Sequence, residues 1–452
     1  MQKIVRLLLS AMLGLALVAC GGKGDSATPP TDLVATAGDA QVTLTWTMAP
    51  GVEYWIWYAP GTLAAGQDIL QASGHRSLVK ATSPYVLSGL VTGAPYTFTI
   101  DGRTGGGPGG TKAAFQYATP RPAGSSWSTP ATLLTPPATT AVAATTLGGN
   151  DLRGVAYGLA SDTNPYHLVA GAGGALYFAA DPANWIAITG SGITSNLRAA
   201  AYASGRFLVG DHLGKIYYTT DFTTWTASTV PTSGKQINAM ASNGTSAVAV
   251  GNDGTIWTTG DGVTWTPAAT VPTAKHLLGV AYAANGVNGV NWLAVGADGT
   301  LLLSSDANTW IAPTSLTGVG VGTTLNAAGY RAAVTFTDAS TGNVLATYAA
   351  TYVAVGDGGK VITSSDGLNW ALNAQNLTQD QKALSVTASQ FLSAGASGSV
   401  YTSADGQTWT ARSTLPASNS QHVYGLLNTM GLLNVTARYV AVGAAGTAIY
   451  SK

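Results

Sequence analysis

A string of the form Asp-x-x-x-Trp returns six times in this 452-residue sequence. Before each copy stand two short apolar runs separated by a glycine turn, as in RFLVGDHLGKIYYTTDFTTW. The tryptophans follow one another at 40, 40, 45, 60 and 39 residues, and they are Trp185, Trp225, Trp265, Trp310, Trp370 and Trp409. This period constrains the fold strongly, because each copy must build the same small unit and bury its apolar face on the next copy.

Each copy predicts four short β-strands. An inner strand such as RGVAYGLA comes first, followed by an apolar run, a tight turn, a second run, and an outer strand after the tryptophan. The pairs Asp253-Gly254 and Asp298-Gly299 are typical of hairpin turns that need positive φ. Four-stranded repeats of this length predict a β-propeller in an all-β protein. The fifth copy carries an insertion around TFTDASTGNVLATYAA.

A seventh copy, YVAVGAAGTAIYSK, ends without an outer strand. The segment SSWSTPATLLT at 125–135 is similar to TTWTASTVPT at 223–232 and places Trp127 in the tryptophan position. We therefore expect residues 125–135 to complete the last blade, so that 121–452 form a closed seven-bladed propeller. Closure removes sheet edges that could pair with other chains.

The repeated strings resemble Asp boxes, a motif shared by sialidases, some other glycosidases, sortilin-type receptors and the photosystem II assembly-factor propellers. The carboxylate is expected to accept backbone N–H groups of its turn, and the tryptophan to pack between blades. Six copies at one position of the repeat favour a structural role, since an active site needs one constellation. The aspartates are Asp181, Asp221, Asp261, Asp306, Asp366 and Asp405.

Carboxylates suited to catalysis are scarce. The chain contains one glutamate, Glu53, and it lies outside the repeats, so the Tyr–Glu pair that resemblance to sialidases would require is missing there. No zinc-binding His-x-x-x-His or nucleophile-elbow Gly-x-Ser-x-Gly string occurs. We expect no enzyme activity, no metal and no cofactor, although hydrolysis by two aspartates stays open in principle. The carboxylates left for it are Asp151, Asp162, Asp211, Asp338 and Asp380.

Basic residues precede the inner strands. Every four-residue window before a predicted inner strand holds one, and these windows contain 8 of the 17 Lys, Arg and His residues from 121 onward. Because inner strands line a propeller axis, the pattern predicts a positively charged ring at one mouth of the channel. The predicted binding residues are Arg153, Arg198, Lys235, Lys275, His276, Arg331, Lys382 and His422. The alternative is a solubilising charge that was copied with the repeat.

Residues 29–120 carry a different pattern of alternating strands. They resemble a fibronectin type III domain in the opening Pro-x-x-Leu, in Trp46, and in LSGLVTGAPYTFTI, where Leu90 and Tyr96 have the spacing of a tyrosine corner. A generic β-sandwich is the alternative. Residues 20–28 are expected to form a flexible tether, since they are rich in small residues.

The first 19 residues predict an export signal, with Lys3 and Arg6 before an apolar run that is too short to span a bilayer. The end of this segment, LALVACGG, resembles a bacterial lipobox. The resemblance implies cleavage before Cys20, the one cysteine of the chain, and its lipidation. Gly21 after the cysteine favours the outer membrane by the same resemblance.

These patterns together predict a lipid-anchored protein of the bacterial cell envelope that binds partners without catalysis. The expected partner is an acidic protein or an anionic glycan, because the photosystem assembly-factor propellers that the repeats resemble use an arginine-bearing face for protein contact. The formal net charge of +0 disfavours nucleic acid. A divergent carbohydrate-active enzyme and a structural surface adhesin are the alternatives.

Overall fold

The computed structural model describes residues 24–451 except 39–40, 89, 123, 125, 137–141, 232–233, 338–343, 376, 413–421 and 429–438. Cys20, the predicted signal segment and Asp338 lie outside the described residues. In the described part, every regular element is a β-strand or a short 3₁₀ turn. The chain divides into two compact units, whose described parts are residues 24–122 and 124–451.

The first unit consists of two antiparallel sheets that share one core. One sheet has the order β1-β7-β4-β5 with β8 added to β7, and the other has the order β2-β3-β6. Val42 and Leu44 of the smaller sheet and Ile56 and Phe98 of the larger one are fully buried in this core. The strands are β1 Ser26–Ala27, β2 Val34–Gly38, β3 Gln41–Thr45, β4 Glu53–Pro60, β5 Arg76–Ala81, β6 Tyr85–Ser88, β7 Tyr96–Arg103 and β8 Gln116–Ala118, with a 3₁₀ turn at Ile69–Gln71.

Two aromatic side chains fix the corners of this unit. The Tyr96 hydroxyl accepts a hydrogen bond from the backbone N–H of Val91 at 3.1 Å, five residues upstream. Trp46 is buried and meets the ring of Tyr54 edge-on, with 5.9 Å between centroids. The Tyr96 contact ties loop backbone to the core, and the Tyr54 hydroxyl does the same by accepting the backbone N–H of Ala49 at 3.0 Å.

The predicted tether is partly ordered, which corrects the expectation of a flexible segment over 20–28. Ser26 and Ala27 pair antiparallel with Arg103 and Gly102 at the edge of the larger sheet. Close approach is possible because the facing segment is glycine-rich, and a Cβ on Gly102 would meet the carbonyl of Thr28 at 3.0 Å. The added strand satisfies edge N–H and C=O groups that would otherwise bond to water.

The second unit repeats one sheet order. Each sheet runs in chain order through antiparallel neighbours, with an extra strand in some sheets. Three short strands precede the first repeated sheet in the chain, and they are β9 Trp127–Ser128, β10 Thr132–Leu134 and β11 Val142–Ala143. The first sheet contains β12 Leu152–Leu159, β13 Pro165–Gly171, β14 Leu176–Ala179 and β15 Asn184–Ala187. The second contains β16 Leu197–Ala203, β17 Arg206–Asp211, β18 Ile216–Thr219 and β19 Thr226–Ala227. The third contains β20 Ile237–Ser242, β21 Ala247–Gly251, β22 Ile256–Thr259 and β23 Thr266–Pro267.

The fourth sheet has three strands and the fifth has the inserted hairpin beside it. The fourth sheet contains β24 Leu277–Tyr282, β25 Trp292–Gly296 and β26 Leu301–Ser304. The fifth contains β27 Ser315–Thr317, β28 Leu325–Arg331, β31 Thr351–Gly356, β32 Val361–Ser364 and β33 Asn369–Leu372, and the hairpin beside it is β29 Val334–Thr337 and β30 Val344–Tyr348. The sixth contains β34 Gln381–Val386, β35 Phe391–Gly395, β36 Val400–Ser403 and β37 Thr410–Ala411, and the seventh contains β38 Val423–Asn428, β39 Tyr439–Gly443 and β40 Ala448–Ser451. Short 3₁₀ turns lie at Ala172–Gly174, Asn252–Gly254, Val287–Gly289, Ala297–Gly299, Asp357–Gly359, Ala396–Gly398 and Ala444–Gly446.

The first strands of successive sheets touch one another. This holds from β12 through β16, β20, β24, β28, β34 and β38, and β38 in turn contacts β12. Each first strand shifts register one residue after its start, as between Leu152 and Gly154 or between Leu197 and Ala199. The extra residue is therefore a β-bulge at the same level of every first strand, and bulges of this kind re-aim side chains.

Each repeated tryptophan packs on the sheet that precedes its own. Trp310 shares a buried cluster with Val248 and Val250 of the third sheet, and Trp409 shares one with Val353 and Val355 of the fifth. Trp185 of the first sheet packs with residues of the seventh, among them Val440 and Val442. The tryptophans thus join each sheet to its neighbour through a buried cluster between the two.

The segment 125–135 is divided between two sheets rather than forming one outer strand. Trp127 and Ser128 pair antiparallel with Ser451 and Tyr450 of the seventh sheet. Thr132–Leu134 instead pairs in parallel with β15 at the edge of the first sheet. Pro130 lies between the two short strands, and proline interrupts a ladder because it has no N–H to donate.

Candidate functional site

One cavity opens where the first strands of the second unit begin. Its volume is about 260 Å³. The rim layer comes from the bulge position of each first strand and consists of Arg153, Arg198, Asn238, Leu278, Asn326, Lys382 and Tyr424. The layer two residues further along each strand is apolar and consists of Val155, Ala200, Met240, Val280, Ala328, Leu384 and Leu426. The cavity therefore has a polar rim above an apolar collar.

The cationic rim residues share one arc. Lys382, Tyr424, Arg153 and Arg198 belong to the sixth, seventh, first and second sheets, whose first strands are neighbours in that order. The Arg153 guanidinium lies over the Tyr424 ring, 4.0 Å from its centroid, and donates to Asp151 at 3.2 Å. These contacts hold Arg153 in place at the rim.

The opposite arc is neutral and serves to join sheets. Asn238 donates its amide N–H to the carbonyl of Leu277 in the next sheet at 2.8 Å, and Asn326 donates likewise to Gln381 at 2.8 Å. Where the residue at the bulge position has a structural role, its side chain therefore donates a hydrogen bond to a backbone carbonyl of the neighbouring sheet.

Arg198 occupies the same position without such a bond. Its Nε is buried and has no hydrogen-bond partner, and no carboxylate of the described residues forms an ion pair with it. Burial lowers the pKa of Arg198 from its ordinary value, and the neighbouring Arg153 cation lowers it further. An unpaired guanidinium in a desolvated place is costly, so this residue marks the centre of the candidate site.

Carboxylates accompany most of the other predicted basic residues. Lys235 lies 3.6 Å from Asp253, Lys275 lies 2.6 Å from Asp298, and Lys382 contacts both Asp357 and Asp380. His276 lies 3.6 Å from Asp253, and His422 stacks on Tyr424 with 6.2 Å between centroids. The aspartates belong to turns or precede first strands, and their pairing with the basic windows was not foreseen from the sequence. The predicted positive ring is thereby reduced to the arc around Arg198.

The same windows also link consecutive sheets. Side chains just before a first strand accept backbone N–H groups from the turn of the preceding sheet: Asn196 from Gly173 at 2.8 Å, and Asp380 from Gly358 at 2.8 Å. Asp151 accepts the N–H of Ala445 in the seventh sheet at 3.2 Å. Polar residues cluster in these windows partly because the turns need acceptors.

Arg331 is not at this rim, and the prediction that it precedes an inner strand is wrong. It ends β28, at the opposite end of the first strand, and is 3% exposed. Its guanidinium donates to the carbonyls of Ala404 and of Ala349, the latter at 3.2 Å, and lies 4.9 Å from the ring centroids of Tyr348 and Phe391. The reason is the insertion, which follows the first strand of the fifth sheet instead of preceding it.

No protein-family model matches the chain, and no curated protein matches it. Among solved structures, the WD40 β-propeller domain of Doa1 is 12% identical with a TM-score of 0.51, over 73% of this chain and 97% of that one. YCF48 bound to a D1 peptide is 16% identical with a TM-score of 0.47, over 67% and 92%. YCF48 from Cyanidioschyzon merolae is 14% identical with a TM-score of 0.47, over 67% and 96%. The likeness to the Doa1 domain concerns the fold.

The second unit is a β-propeller. The sequence prediction of this fold is confirmed by the repeated sheet order and by the Doa1 domain. In a propeller the first strands surround a central channel, so the cavity around Arg198 lies at one mouth of the channel.

The aspartates of the repeated strings are engaged within their own turns of the propeller. Asp366 accepts the backbone N–H groups of Leu368 and Asn369 at 2.8 Å each and the Ser364 hydroxyl at 2.9 Å. Asp221, Asp261, Asp306 and Asp405 make the same set of bonds. The Asn369 backbone N–H contributes most to holding the pKa of Asp366 well below its usual range.

Asp181 departs from this pattern. It accepts the backbone N–H of Ala183 at 3.0 Å, and the residue two positions before it is Ala179, which has no hydroxyl to donate. In the other copies a carboxylate with two turn N–H groups on one oxygen is held ionised. Such a group is poorly suited to proton transfer, because it cannot take up a proton near neutral pH.

Proposed function

We propose that the propeller is a non-enzymatic binding platform whose channel mouth takes up an anionic group of a partner, either an acidic protein or an anionic glycan. The observation that carries the proposal is Arg198, a rim guanidinium whose buried Nε has no partner among the residues that the structure describes. Arg153 and Lys382 lie on the same arc, and because both are ion-paired with aspartates, Arg198 supplies most of the positive charge that is open to a partner. Opposite charge speeds encounter and favours complementary partners.

We further propose that the propeller has seven blades and closes through Trp127–Ser128. Support comes from the pairing of β9 with β40 and from the bond between Asp151 and Ala445, which join the two ends of the unit. We propose a fibronectin type III-like sandwich for the first unit. Its two-sheet order and the bond of Val91 to Tyr96 support this assignment.

The test of binding reverses charge at the rim and uses the full chain. In the double variant Arg153→Glu/Arg198→Glu we expect capture of polyglutamate or of a sulfated polysaccharide to fall by about tenfold or more, since hydrogen bonds to charged groups contribute about 1.5–3 kcal/mol each. Binding by the natural protein should weaken as salt rises, because screening acts within about 10 Å at 0.1 M.

A matched control carries the same change of net charge at exposed, ion-paired positions. Lys235→Glu/Lys275→Glu should leave capture nearly unchanged, because neither lysine lines the cavity and both are paired with carboxylates. Circular dichroism and thermal melting establish that both variants fold. Equal capture by the two variants would mean that the rim arc does not form the binding face.

We also propose that the protein is lipid-anchored at Cys20 in the bacterial envelope, most naturally at the outer membrane. The support is the sequence LALVACGG with its single cysteine. None of the described residues forms a helix long and apolar enough to cross a bilayer. Acyl chains on one residue are enough for stable anchoring.

Lipidation has a direct test in membrane fractionation. Cys20→Ala should move the protein from the membrane fraction to the soluble fraction, because no thiol remains to carry the lipid. Cys20→Ser serves as a second variant of nearly the same size and should behave alike. Retention of either variant on membranes through a high-salt wash would contradict the anchor.

A further inference from the structure

Two arginines from neighbouring sheets, Arg153 and Arg198, line the same arc of the channel mouth. Arg153 is oriented by the Tyr424 ring and by Asp151, whereas Arg198 has no oriented acceptor for its buried Nε. We propose that Arg153 and Arg198 together bind one small oxyanion, a phosphate or a carboxylate group, inside the rim. This proposal rests on the proposed function in one respect, the identity of the molecule that carries the oxyanion. The oxyanion would be the part of the proposed partner that enters the channel.

The repeat itself supplies the comparison that points to a ligand. At the equivalent positions, Asn238 and Asn326 use their side chains to bond a backbone carbonyl of the next sheet. Arg198 makes no such bond, and its buried Nε–H donor has no acceptor among the described residues. Since buried donors in proteins are nearly always bonded, an acceptor from outside the chain is the simplest way to satisfy it.

The chemistry of the donors selects an oxyanion. Guanidinium donors form a planar fork that matches the oxygens of carboxylate and phosphate, and charge-assisted bonds of this kind are strong. Two neighbouring cations repel each other, and burial adds to the cost of keeping Arg198 charged. A bound anion relieves both penalties, so binding and the charged state of the pair reinforce each other.

The nearby carboxylates do not serve as that anion. Asp151 is bonded to Arg153 and to the N–H of Ala445, and Asp380 is bonded to Gly358 and lies 3.6 Å from Lys382. Asp357 contacts Lys382 and accepts from Asn326 at 2.7 Å. Each carboxylate is committed to its own neighbours, and the Arg198 donor is left for a ligand.

The shape of the cavity limits what can carry the oxyanion. A volume of about 260 Å³ lies below the roughly 300–1,000 Å³ of pockets that bury drug-sized ligands. The apolar collar beneath the rim, with Val155, Ala200 and Leu426, offers no side-chain hydrogen-bond donor. The fitting carrier therefore presents a single anionic group on a slender stem, rather than the broad face of a folded protein.

The experiment titrates the full-length protein with inorganic phosphate and, separately, with acetate, by isothermal calorimetry and by thermal shift. We expect saturable one-to-one binding of at least one probe, with the preferred probe indicating whether the carrier bears phosphate or carboxylate. Arg198→Asn should weaken this binding by about tenfold or more, as expected for lost bonds to a charged group. The variant should fold, because asparagine occupies the same repeat position at 238 and 326.

Lys235→Asn is the matched control, since it removes one positive charge from an exposed, ion-paired residue and should bind the probe as the natural protein does. Absence of saturable binding of both probes, or equal binding by the Arg198→Asn variant, would overturn the oxyanion site. Capture of polyanions without binding of either small probe would contradict the oxyanion site but not the proposed binding platform. Binding of a small probe without capture of polyanions would support the oxyanion site and contradict the proposed binding platform.

Discussion

Arg331→Glu is expected to unfold or severely destabilise the propeller. The arginine is 3% exposed and donates to the carbonyl oxygens of Ala404 and Ala349. A glutamate there would place a buried negative charge against two carbonyl oxygens, near the carboxylate of Asp405. Breaking a buried charge arrangement in this way costs about 3 to 5 kcal/mol, a large share of the stability of an ordinary domain.

Two further variants separate the reversed charge from other effects. Arg331→Met keeps much of the volume against Tyr348 and Phe391 and should cost less, about 1 to 3 kcal/mol. The carbonyl of Ala404 loses its Arg331 donor, whereas that of Ala349 still accepts the Thr351 hydroxyl at 3.1 Å. Lys235→Glu reverses an exposed charge and should change the melting temperature little. Calorimetry of the three variants checks the order. A melting temperature for Arg331→Glu equal to that of Lys235→Glu would show that Arg331 is not a structural residue.

The misplacement of Arg331 shows where sequence reasoning about the repeats failed. Four residues before the predicted strand read AGYR, and the neighbouring repeats also placed a basic residue before the strand. The structure instead puts AGYR inside β28 and the insertion between β28 and β31. An insertion shifts the positions of one repeat in an alignment with the other repeats. The alternation of apolar residues alone does not show whether the inserted residues precede or follow the first strand.

The fold was more predictable than the site, for a physical reason. The spacing of the six tryptophans reports a contact that every repeat makes with its neighbour, as in the packing of Trp310 on Val248. The ion pairs and side-chain hydrogen bonds report contacts that differ from repeat to repeat. Lys382 lies 25 residues from its ion-pair partner Asp357, and Asp151 accepts the backbone N–H of Ala445, 294 residues away. One sequence offers no signal for such pairs.

The rim is harder to locate in the sequence than the basic windows. The bulge position holds Arg153, Arg198 and Lys382, but also Asn238 and Asn326. The basic windows stand out because charge is rare in this chain, at 9% of residues. The distinction between rim residues and residues three places earlier, such as Lys235, depends on the one-residue register shift at each strand start, which composition does not reveal.

Trp127→Ala is expected to destabilise the propeller through the strand that we propose closes it. Trp127 and Ser128 pair with Ser451 and Tyr450, and the Trp127 indole donates to the carbonyl of Gly124 at 2.9 Å. The same indole-to-carbonyl bond, three residues back, occurs at Trp370 and Trp409. Truncation should cost about 3 kcal/mol, at the lower end for tryptophan because this ring is only half-buried.

Trp225→Ala is the matched control for closure, because Trp225 is half-buried in the same position of the second sheet, where the chain is continuous on both sides. Both variants lose a similar amount of packing, but only Trp127→Ala loosens the contact that joins residues near 127 to residues near 450. Hydrogen exchange should therefore rise at the amides of Tyr450 and Ser451 in Trp127→Ala and stay low in Trp225→Ala, since amides exchange faster when a local pairing opens more often. If the two variants lose similar stability while those amides stay protected in both, the short strand at 127–128 does not hold the ends of the propeller together, and the connection through Asp151 and Ala445 must do so instead.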